Sequence, residues 1–107
     1  MATSIEFKEY VLDLLAPHVA VTARNMFGGV GVYAEGVMFA LMTSDDVLYF
    51  KADEETRLMF AEAGMPQFMN MPYFQLPVEV MESSEGMKQW VAQAVAVAQR
   101  MAKKKKK

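Results

Sequence analysis

A chain of 107 residues is one domain's worth, and 53% apolar against 22% charged residues excludes a disordered polymer. The absence of cysteine excludes disulfides, zinc–thiolate sites and thiol nucleophiles, and no apolar run reaches the roughly 18 residues of a membrane span. The net charge of −2 conceals a split: residues 1–102 carry six basic against thirteen acidic side chains, net −7, while Lys103–Lys107 carry +5, so the body is poorly suited to sheathing phosphates.

Thr3-Ser4-Ile5-Glu6 fits a capping box with Thr3 as the cap. Phe7, Val11, Leu14 and Leu15 then share one helical face, which predicts a helix over about 4–15. Pro17 stops it, pushing residue 16 out of the α region. From Val19 to Lys51 the pattern turns to short β-rich runs. Val19–Met26 reads as a strand, Phe27-Gly28-Gly29 as a turn or bulge in which glycine permits positive φ, and Val30–Ala34 as the next strand. Glu35-Gly36 is a two-residue hairpin turn before a strand at Val37–Thr43; Ser44-Asp45-Asp46 turns the chain into Val47–Lys51. Strands joined this tightly are antiparallel neighbours, so a four-stranded meander is expected.

Asp53 is a good N-cap for a helix over about 54–63, with Gly64 as its left-handed C-cap and Pro66 beyond. A strand is expected at about 72–76 and a further short one at Phe68–Met69. Pro77 leaves 77–81 as either an edge continuation or a short helical turn with Pro77 at its first position. Ser83 or Ser84 caps the last helix, about 85–102, whose inner stripe is Met87, Trp90, Val91, Ala94, Val95, Ala98 and Met101. The layout is α+β: helix, four-stranded meander, helix, one or two further strands and a C-terminal helix, in one domain over 1–102 with a basic lysine tail at 103–107.

Chemistry is sparse. His18 is the single histidine and has no nucleophile beside it, so no catalytic residue is assigned. The acidic clusters Asp45-Asp46 and Asp53-Glu54-Glu55 are explained by turns and caps and match no calcium loop, so neither a metal nor a cofactor is expected. The Phe27–Gly31 glycines precede a strand rather than a helix, the wrong context for a phosphate cradle. Eleven methionines are the compositional oddity. Met59, Met87 and Met101 suit helix faces, whereas Met65, Met69 and Met71 suit an exposed adaptable patch. Tyr33, Tyr49, Phe50, Lys51 and Arg24 are the set available for stacking bases, in a body too acidic to favour it. Arg24, mid-strand, is expected to form a surface cross-strand ion pair, to anchor the adjoining turn through backbone carbonyls, or to meet an acidic partner group.

Arg24-Asn25-Met26-Phe27-Gly28-Gly29, Gly31-Val32-Tyr33, Gly36–Ala40, Leu48–Asp53, Tyr73–Pro77 and Trp90 together resemble the TfoX N-terminal domain family over about residues 5–101. TfoX, also called Sxy, is a bacterial regulator of competence genes. The resemblance implies an antiparallel sheet packed by helices, similar to secretion-chaperone folds that often dimerise, with no established catalytic residues. The chain departs from the full-length regulators in ending after the last helix, so a stand-alone domain without their C-terminal domain is expected. The expected function is a small, non-enzymatic, cytoplasmic interaction module. Its binding residues are expected to be Arg24, Phe27, Gly28, Gly29, Tyr33, Lys51 and Tyr73. Its partner is an unidentified protein or a second copy, because the strands are apolar at both parities and the second helix is small. The alternatives are a small-ligand binder around the Gly-Gly turn, and weak nucleic-acid contact through Lys103, Lys104, Lys105, Lys106 and Lys107.

Overall fold

A computed structural model describes residues 3–26 and 28–105, with side chains to Lys103; Met1, Ala2, Phe27, Lys106 and Lys107 lie outside the described residues. The elements are α1 (Ile5–Leu15), β1 (Thr22–Met26), β2 (Gly29–Ala34), β3 (Val37–Met42), β4 (Leu48–Lys51), α2 (Arg57–Glu62), β5 (Tyr73–Gln75), α3 (Val78–Met81) and α4 (Ser84–Lys105). The α+β layout holds, and the sheet has five antiparallel strands in sequence order.

Local chemistry explains the boundaries. The cap of α1 is Ser4 rather than Thr3: its hydroxyl accepts from the Phe7 amide at 3.1 Å, while Thr3 donates to the Thr43 carbonyl at 2.8 Å. The helix ends at Leu15 as expected, yet Ala16 stays in the α region, and the His18 and Val19 amides both close onto the Leu15 carbonyl. β1 begins at Thr22, three residues later than its apolar pattern suggests. The Glu35-Gly36 turn takes positive φ at both positions, 53° and 82°, the mirror-image turn whose twist matches a hairpin. Asp53 caps a leading turn: its carboxylate accepts from the Glu55 and Thr56 amides, so α2 starts only at Arg57. Gly64 is left-handed, φ 73°. Residues 68–69 form no strand; Gln67 makes an isolated bridge to Phe74 instead. Residues 77–81 become the short α3, with Pro77 at the cap and not at the first helical position. Ser83 caps α4, accepting from the Gly86 amide at 3.0 Å, and the helix continues through Lys105.

The helices share one face of the sheet. Val11 and Leu15 of α1, Phe60 of α2, and Met87, Val91, Ala94 and Ala98 of α4 form one core with Val30, Val32, Ala34, Ala40, Met42, Leu48 and Phe50. Phe60 stacks on Phe74 at 5.5 Å and meets Trp90 edge-on at 4.9 Å, so α2 sits on the same side as α4. Val97, absent from the expected stripe, is fully buried. A register shift at Val32/Tyr33 leaves Phe39 as an extra residue on β3. Phe39 and Ala40 are consequently both buried, and the strand's parity inverts beyond them. Leu41 therefore joins Met38 on the face away from the helices.

Candidate functional site

Strand pairing assembles the face opposite the helices. Thr22 pairs with Tyr33, and Tyr33 with Met38; Arg24 pairs with Gly31, Gly31 with Leu41, Leu41 with Tyr49, and Tyr49 with Gln75; Met26 pairs with Gly29, and Lys51 with Tyr73. Among the described residues, the helices pack into the core on the opposite face of the sheet. Part of the cover on this face is the 65–72 segment, which folds back over β4: Phe68 lies against Tyr49 at 5.1 Å. That segment is pinned by the Phe68 amide to the Tyr73 carbonyl at 2.8 Å, and by the Gln75 amide to the Pro66 carbonyl at 3.0 Å.

Glycine shapes the middle of the face. Gly29 and Gly31 occupy successive same-face positions of β2 and leave a trough between taller neighbours. A Cβ at Gly29 would collide with the Met42 carbonyl oxygen. A Cβ at Gly31 would lie 2.8 Å from both the Met26 and the Met38 sulfurs, which close over it. Toward the 43–45 turn the trough opens into a cavity of about 400 Å³, lined by Met26, Met38, Leu41, Tyr49, Phe68 and Met71 among others. Thr43 lies on its wall. The Thr43 hydroxyl is buried without a hydrogen-bond partner among the described residues.

Two cations stand on the same face. The Arg24 guanidinium lies 5.8 Å from the Tyr33 ring, and the Lys51 ammonium 5.6 Å from the Tyr73 ring. Contacts of this kind contribute about 0.5–1 kcal/mol at exposed sites. Arg24 makes neither the ion pair nor the carbonyl anchor expected of it among the described residues; an aromatic ring is its neighbour instead. Tyr73 is 2% exposed. Burial, followed by the neighbouring Tyr33 phenol, pushes its hydroxyl up to about 12. Across the sheet, the Arg100 guanidinium, 2.8 Å from Asp53, and the Thr56 amide hold that carboxyl well below the usual range.

Arg24, Gly29, Tyr33, Lys51 and Tyr73 thus share one face of the sheet. Gly28 sits apart in the turn with φ 79°, and Phe27 lies outside the described residues. The residues missed are Met26, Met38, Leu41, Thr43 and Phe68. Alternation from Tyr33, Lys51 and Tyr73 points to some of them, but the Phe39 bulge hides Leu41. Met69 and Met71 are exposed as expected, whereas Met65 packs on the core. Among the described residues, no three His, Cys, Asp or Glu side chains are placed to hold a metal, and no helix is long and apolar enough to cross a membrane. A family model described as TfoX N-terminal domain matches residues 13–98. No curated protein matches the chain.

Proposed function

The chain belongs to the TfoX N-terminal domain family, and from that premise we propose that it is a small non-enzymatic interaction module acting through protein–protein contacts on its helix-free sheet face. One observation carries the reading: a methionine- and tyrosine-rich sheet face with a cavity in it, in a molecule whose helices all pack on the other side. Apolar surface rimmed by polar groups is characteristic of protein contact sites, and methionine suits surfaces that adapt to a partner. The regulatory role associated with the family fits a domain that acts by binding.

The test compares affinity capture from the source cells by the wild-type chain and by a Tyr49→Asp variant whose circular dichroism matches wild type. The expected result is a discrete partner retained by wild type and lost from the variant. Retention of the same proteins by both would remove the sheet face from the reading.

A further inference from the structure

The charges are sorted by face. None of the thirteen Asp and Glu residues lies in a strand; all are on helices, turns or connections. The strands' charged side chains are Arg24 and Lys51, and the register puts both on the helix-free face. Asp45, at the cavity's edge, is the carboxylate found beside it. The face is therefore apolar and cationic on an otherwise acidic body.

We propose that the occupant of this face is an acidic, apolar segment of a partner protein, with one bulky side chain seated in the cavity and a neighbouring carboxylate meeting Arg24. The inference rests on the interaction-module reading and specifies its partner. The methionine walls accept an irregular apolar side chain.

A second copy of the chain fits less well. A two-fold pairing of this face brings together two faces whose strands carry cations and no carboxylate, so neither copy's strands answer the Arg24 of the other. Single-stranded nucleic acid would find rings to stack on, but it carries a phosphate at every nucleotide toward a body of net −7 with two cations on this face.

The experiment selects binders from a displayed library of random twelve-residue peptides, using the full chain. Selected peptides are then titrated against wild type, Arg24→Glu and Met71→Asp, with a fifteen-residue oligothymidylate in parallel. The expected result is enrichment of peptides pairing Trp, Phe, Leu or Met with nearby Asp or Glu. Affinity should fall about tenfold or more in Arg24→Glu, and also fall in Met71→Asp, with weaker binding at higher salt. Both are exposed positions, so folding is not at stake. Enrichment of basic or uncharged peptides, or indifference to Arg24→Glu, overturns the acidic partner while the face remains an interaction site. Oligothymidylate binding as tight as the best peptide, or a stable dimer by light scattering that buries this face, overturns it as well. If the selected peptides bind indifferently to Met71→Asp and Arg24→Glu alike, the face itself is excluded.

Discussion

Thr43 shows how a single residue is set against stability. Its hydroxyl is buried without a partner among the described residues, and such a group destabilises a fold by about 1–3 kcal/mol. Thr43→Val should therefore raise the urea midpoint of unfolding; a lowered midpoint would show the hydroxyl to be satisfied in solution. Gly29 makes the opposite demand. With the Met42 carbonyl where its Cβ would stand, Gly29→Val must displace β3 and should destabilise by more than about 2 kcal/mol in the same denaturation. A loss under about 1 kcal/mol would mean the strands separate easily. The Gly-Gly pair was legible as structural from sequence, and positive φ at Gly28 follows from it. The reason for Gly29 was not legible, because it depends on a carbonyl thirteen positions away. Thr43 gave no sequence signal either, since a threonine closing a strand is ordinary.

Among the elements, α1 and α4 were readable because their apolar stripes run for three or more turns. The six-residue α2 was read too long because Asp53 caps a turn that precedes the helix. Asp53 also anchors Arg100 of α4, so it joins two elements. Its folded pKa lies below the ordinary 3.8. Its contribution is therefore complete well above that value and is lost as pH falls through 3.8 toward the folded pKa. Asp53→Asn should lower the urea midpoint at pH 7, with the gap to wild type narrowing at pH 3; a gap that is constant with pH would assign the role to the hydrogen bonds alone. Asparagine can still accept the capping amides, so loss of the part-exposed Arg100 ion pair sets the scale, at about 1 kcal/mol or less. Strand β3 marks the limit of pattern reading: alternation assigns Val37, Phe39 and Leu41 to one face, and the bulge at Phe39 moves Leu41 to the other.

At the scale of the molecule, the acidic body and the basic end of α4 separate two kinds of contact. Binding to duplex DNA should be weak, depend on Lys103–Lys107 and vanish on truncation after Ala102, with log affinity falling against log salt no more steeply than about −4.5 for five neutralised phosphates. Sequence-selective or salt-resistant binding by the truncated chain would contradict this. The α+β class and strand succession were legible because turns and helix stripes are local. Which face the small helix takes was not, since Phe60 reaches Phe74 and Trp90 only in the folded chain. The strand order has a kinetic consequence. Because β1 to β5 lie side by side in the order of synthesis, the β1–β2, β2–β3 and β3–β4 pairings each close a short loop, and the sheet can grow outward from the β2–β3 hairpin without a distant search. The slow steps expected from this order are the β5 pairing across residues 52–72 and the docking of α1 beside α4, the two ends of the chain, so the helix-free sheet face is framed before the helix layer behind it is sealed.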